Sequence, residues 1–138
     1  DVDRDILTRC MARIDQAHDE ADFRDEAEAD VDLHVAVYEA SHNIVLLQIM
    51  RALSGMLRKG VFHNREKLYA RPEVRGVLRA QHRAVYDAIM ARDPEAAAHA
   101  AQEHMTYTKR VRAEIIAAEA RLEISLRRIE GGSIAQRR

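Results

Sequence analysis

The sequence predicts an all-α protein, an antiparallel bundle of about five helices. Three observations carry this. Five Gly and two Pro in 138 residues are too few turn formers for a sandwich or barrel of many short strands. Apolar residues recur at helical spacing nearly throughout, and no alternating strand pattern or internal repeat is present. The predicted helices are joined by short polar breaks, which makes successive helices antiparallel neighbours.

Leu7, Met11, Ile14 and Ala21 define a first helix over about 3–21. An acidic stretch then passes into Leu33, Val37 and Ala40, a second helix over about 23–41. Ser41-His42-Asn43 breaks it, and Asn43 is placed to cap a third helix beginning at Ile44. That helix extends to about Ala70, with a bend expected near Gly55 and Gly60. Pro72 sits at the first position of a fourth helix over about 72–91, where its missing N–H costs nothing. Asp93-Pro94 repeats the device and opens a long fifth helix from 94 to about 130. Gly131-Gly132 is expected to end it, leaving 131–138 as a flexible tail.

With 47% apolar and 33% charged residues, the chain can bury one domain's core. It has no apolar run long enough to span a membrane, and no signal peptide is visible. A single cysteine, Cys10, excludes an intrachain disulfide framework and fits a reducing, cytoplasmic setting. The net charge of -1 argues against nucleic-acid binding by this chain alone. It also conceals a division: residues 1–40 carry 13 acidic and 4 basic side chains, and residues 41–138 carry 10 acidic and 18 basic. Either the two parts pack against each other or are simply solvated faces, or the basic part offers a surface to an anionic partner.

Seven His stand against two Phe, four Tyr and no Trp. Asp30 and His34 are four apart and share a helix face. His82 lies on the stripe Leu78, His82, Val85, Ile89, and His104 on the stripe Ala97, Ala101, His104, Val111, Ile115. Three inward imidazoles and one inward carboxylate, from three helices, can converge on one divalent ion. Such a donor set suits Zn, Ni, Mn, Fe or Co, and on an octahedral ion it leaves two positions for water or a small ligand. The competing reading gives each buried His one hydrogen bond and no metal. His99 falls on a polar face, His18 on the first apolar stripe, and His63 is ambiguous.

Other chemistry is thinly represented. No His-Glu-x-x-His helix is present, and no Gly-rich phosphate loop. Glu39–His42 is the only Glu-x-x-His spacing, and it falls at a helix break, against a carboxylate-bridged di-iron bundle. Cys10 has no basic setting beyond Arg9 and Arg13 to activate it. Arg51 and Arg58 are seven apart on one helix face, and a guanidinium suits a carboxylate ligand.

Asp30-x-x-Leu33-His34, Ala40-Ser41-His42-Asn43, Gln81-His82, Asp93-Pro94-Glu95-Ala96-Ala97 and Glu103-His104-Met105 together resemble the FCD domain. This is the C-terminal effector-sensing domain of FadR-subfamily, GntR-type bacterial transcription regulators. The resemblance covers about residues 3–130, and Glu39 to Arg51 is most similar to the pyruvate- and lactate-responsive branch. It implies metal ligation by Asp30, His34, His82 and His104. It also implies a small 2-oxo or 2-hydroxy carboxylate effector beside the ion, with Arg51, Asn43 and Arg58 nominated to hold it; Asn43 has helix capping as its other role.

The expectation is therefore a ligand-sensing domain over 1–130 of a repressor, a homodimer and not an enzyme. The family's first helix and its winged helix-turn-helix domain are read as lying outside this chain. Operator DNA would then be a partner only through that missing domain. The alternatives are a metal-dependent bundle enzyme acting on a small carboxylic acid, and a metal-free structural bundle.

Overall fold

A computed structural model describes residues 2–135; the side chains of Arg51, of residues 53–64 and of residues 130–135 lie outside the description. Five helices follow one another among the described residues: α1 (Val2–Asp19), α2 (Phe23–Ala40), α3 (Ile44–Tyr69), α4 (Pro72–Met90) and α5 (Pro94–Ala135). No strand occurs among them. Connections of two or three residues join consecutive helices, as the scarcity of turn formers predicted.

The chain forms two compact units, residues 1–105 and 106–138. In the first, α1 packs on α2 and α4, α2 on α3, and α3 on α4. The core centres on Leu7, Met11 and Ile14 of α1 against Ala29, Leu33 and Ala36 of α2, with Tyr86, Ile89 and Met90 of α4 packed around them. Apolar burial drives this assembly. The fully enclosed alanines at 27 and 29 need little room, so they allow close helix approach. The second unit is the remainder of α5, helical to Ala135, with exposed pairs Arg110–Glu114 and Arg127–Glu123 along its surface.

The helix ends show how the chain turns with so little glycine. Ala21, His42 and Arg92 take left-handed φ values of 58°, 51° and 57°. At the end of α1 the Ala21 N–H reaches the His18 carbonyl and the Asp22 N–H reaches Ala17. Arg92 and Asp93 make the same two bonds to Ile89 and Ala88 at the end of α4. This geometry satisfies orphan carbonyls and usually uses glycine. The Asp22 and Asn43 side chains cap α2 and α3 by accepting backbone N–H bonds.

Two boundaries differ from the sequence expectation: α1 ends at Asp19, so Ala21 lies in the turn and not on the helix, and α5 runs past its expected stop. α5 continues through Gly131 and Gly132 to Ala135 instead of stopping there. A glycine weakens a helix interior by about 1 kcal/mol but does not forbid it, and extending a formed helix is far easier than nucleating one. No described glycine has a positive φ, so neither acts as a left-handed stop. The bend expected near Gly55 and Gly60 lies outside the described residues, as does the end of the tail.

The charge division resolves into packing within the first unit. Arg79 Nε donates to Asp15 at 2.8 Å and Arg79 Nη1 to Asp19 at 3.0 Å, and Arg83 also holds Asp15. Arg13 gathers Asp25, Glu28 and Asp32. Arg75 Nε binds Glu26, which is fully buried, at 2.5 Å. Arg75, Arg79 and Arg83 thus tie basic α4 to the acidic α1 and α2, while Arg13 joins α1 to α2.

Candidate metal centre

α2 presents Glu26, Asp30 and His34 at four-residue intervals, one stripe facing inward. Asp30 is 4% exposed, His82 2% and His104 5%. His34 is half-buried at the rim. One donor atom from each of Asp30, His34, His82 and His104 lies within 4.8 Å of every other. The three imidazoles crowd together, with ring centroids 4.5 to 5.5 Å apart. Asp30 Oδ1 faces His82 Nε2 at 2.9 Å and His34 Nε2 at 3.1 Å.

The two Asp30 Oδ1 separations suit a metal. Two ligands about 2.1 Å from one ion sit roughly 3.0 Å apart at right angles and roughly 4.2 Å apart across it. The polar atoms also lack other partners: Asp30 Oδ1 and both ring nitrogens of His82 are buried without a hydrogen bond. Leaving such atoms unsatisfied costs about 1–3 kcal/mol each, and an ion at their convergence would remove that cost for Asp30 Oδ1 and for one His82 nitrogen. The residues present therefore fit a divalent ion.

The electrostatics agree. Burial is the largest influence on His104, with the charges of His82 and His34 next, and its imidazolium is pushed from 6.5 down to about 3. A neutral imidazole is the ligating form. Burial alone would raise the Asp30 carboxyl, but the His34 and His82 imidazoles outweigh it and hold Asp30 well below the usual carboxylate range. Asp30 is thus a carboxylate ready to bind a cation.

Two neighbours support the donors, and a third, Tyr69, is buried nearby. Gln81 Oε1 accepts from His104 Nδ1 at 3.2 Å, which leaves Nε2 of that ring with its lone pair. Arg65, on α3, donates from Nε to Asp30 Oδ2. Tyr69 is 1% exposed, its hydroxyl has no hydrogen-bond partner, and burial with the charges of Asp30 and Glu26 pushes it well above its ordinary value. Sequence reasoning gave these three no role. Arg65 was findable, since it falls seven residues after Arg58 and fourteen after Arg51, on the same helical register. A second buried group sits one turn from Asp30: Glu26 binds Arg75 and lies 2.8 Å from His18 Nδ1.

The other nominated residues are placed less fully. The Asn43 side chain accepts from the Leu46 N–H at 3.0 Å and so caps α3. Arg51 and Arg58 have side chains outside the described residues. His42 marks the end of α2 and pairs with Asp3, while His99 is exposed beside Glu103. Cys10 is half-buried, and burial followed by the charge of Asp32 raises its thiol, which suits a nucleophile poorly.

The FCD domain family is matched over residues 1–107, more than three-quarters of the chain. This chain belongs to the FCD domain family. The "Putative L-lactate dehydrogenase operon regulatory protein" of Escherichia coli (strain K12) is 46% identical over 81 residues, covering 59% of this chain and 31% of that protein. A protein of the same name from Shigella flexneri matches to the same extent. The "Glc operon transcriptional activator" of Escherichia coli (strain K12) is 31% identical over 108 residues, 76% of this chain and 42% of that protein. The chain thus matches less than half the length of these relatives, whose names are those of regulators and not of enzymes. No described helix is long and apolar enough to cross a membrane.

Proposed function

We propose that this FCD domain senses a small carboxylate for a transcription regulator, through one divalent ion held by Asp30, His34, His82 and His104. The observation that carries this is the convergence of four donors from three helices at a buried point where Asp30 Oδ1 and both His82 nitrogens lack other partners. A divalent ion there supplies positive charge and, with four protein ligands, keeps positions open on an octahedral shell. A 2-oxo or 2-hydroxy acid, such as pyruvate, lactate or glycolate, offers two oxygens for those positions. The names of both relatives support a regulator, and the one that refers to a lactate dehydrogenase operon supports a small acid.

The domain works by binding. Its output would be a change in the operator affinity of a separate DNA-binding domain in a cytoplasmic homodimer, with the effector favouring one arrangement of the two heads. The ion serves here as an anchor for an anion, and no turnover is required of it.

Thermal melts test the reading. Protein loaded with Zn2+, Ni2+ or Mn2+ is heated with and without pyruvate, lactate, glycolate and citrate. Binding stabilises the fold by mass action, so at least one acid raises Tm in the loaded protein and none does so after chelation. Acid effects that ignore the metal would refute the shared site. Consumption of the acid by the loaded protein would establish the enzyme alternative instead.

A further inference from the structure

We infer that Arg65 is the positioning residue of this centre: it fixes which Asp30 oxygen meets the ion and adds the charge that draws an anion to it. The inference rests on the metal reading above. Asp30 is 4% exposed, and its two oxygens have different neighbours. Oδ2 is taken by the Arg65 Nε–H, while Oδ1 faces His34 Nε2 and His82 Nε2. A carboxylate pinned through one oxygen cannot turn, so it offers a single oxygen to the ion and keeps the coordination shell open elsewhere.

The contact also sets the charge. With imidazoles bound as neutral ligands, Asp30 and a divalent ion together carry one net positive charge. The Arg65 guanidinium raises that by one. Arg65 engages Asp30 through Nε, so the two terminal nitrogens of its fork lie outside that contact. At 21% side-chain exposure, Arg65 is more open to solvent than the Asp30 side chain, at 6%, and a guanidinium fork suits a carboxylate.

The test measures Zn2+ affinity by chelator competition in the wild-type chain, Arg65→Gln, Arg65→Lys, Asp30→Ala and the Asp30→Ala/Arg65→Gln double variant. Loss of the pinned carboxylate is expected to outweigh the removed repulsion, so Arg65→Gln weakens Zn2+ about 10- to 100-fold, and Arg65→Lys restores part of that loss. In the Asp30→Ala background the Arg65→Gln loss should vanish, because the residue acts through that carboxylate. A merely structural role would cost the same in both backgrounds. Should Arg65→Gln fail to fold, Arg65→Lys carries the comparison, with an intermediate loss expected. Wild-type affinity in either Arg65 variant, or equal losses in both backgrounds, would overturn the inference. Absence of Zn2+ binding by the wild-type chain would instead remove the metal reading beneath it.

Discussion

His82 Nε2 on α4 and Asp30 Oδ1 on α2 lie 2.9 Å apart in the buried interior, yet neither has a hydrogen-bond partner. Close approach without a bond is how two ligands of one ion look. It joins the two helices at the point where His34 and His104 also arrive, so ion binding should bear on folding as well as on sensing.

Metal removal is the first consequence. At free metal one hundred times Kd, an ion that binds only the folded state stabilises it by about 2.7 kcal/mol. For a domain of this size that corresponds to roughly 10 °C in Tm. Chelation followed by calorimetry should lower Tm by that order, and re-addition of the metal should restore it.

The metal-free protein should also weaken in mild acid. In the unfolded chain His104 titrates near 6.5, whereas burial and the neighbouring imidazoles lower it to about 3 in the folded chain. Below about pH 6.5 the unfolded state therefore takes up a proton that the folded state refuses. The His104 contribution is fully present above 6.5 and is lost progressively down to about 3. Asp30 acts lower: its depressed carboxyl contributes above the ordinary carboxylate range, and that contribution is lost only as pH falls through the depressed value. Urea unfolding between pH 8 and 5 should show stability declining below 6.5, with a shallower decline in His104→Gln. A flat profile in the wild-type chain would count against the buried, neutral His104.

Glu26 separates buried from exposed ion pairing. It is fully buried between Arg75 and His18, and removing one partner of such a pair leaves an uncompensated charge. Glu26→Ala should destabilise by about 3–5 kcal/mol. Glu123→Ala breaks the exposed pair with Arg127 and should cost under about 1 kcal/mol. Denaturant melts of the two variants make the comparison, and similar losses would contradict the buried assignment.

The left-handed helix ends give a prediction of opposite sign. Ala21 at φ 58° and Arg92 at φ 57° carry a steric penalty that glycine avoids. Ala21→Gly and Arg92→Gly should each raise stability by about 0.5–1 kcal/mol, less the added entropy of the unfolded chain. Destabilisation by both would show that the side chains contribute more than the strain.

Much of this was legible before the fold was known. Helix periodicity put His82 beside Leu78 and His104 beside Ala101, and both proved buried. Pro72 and Pro94 marked two helix starts, and Asn43 the third. Periodicity gives the direction of a side chain but not the distance between helices, so the meeting of α2, α4 and α5 at one point was beyond it. Arg65 went unassigned for a related reason: its Asp30 partner lies thirty-five residues away, and an arginine near the end of a helix ordinarily reads as solvated. Ala21 and Arg92 also gave no warning, because left-handed turns are read from glycine, and here other residues take that conformation.

The central claim is that the four donors hold one ion together. Elemental analysis of untagged protein, alongside His82→Ala/His104→Ala, tests it most directly. About one divalent ion per wild-type chain is expected, and little or none in the double variant while the helical signal is retained; equal metal content in the two proteins would rule out shared ligation.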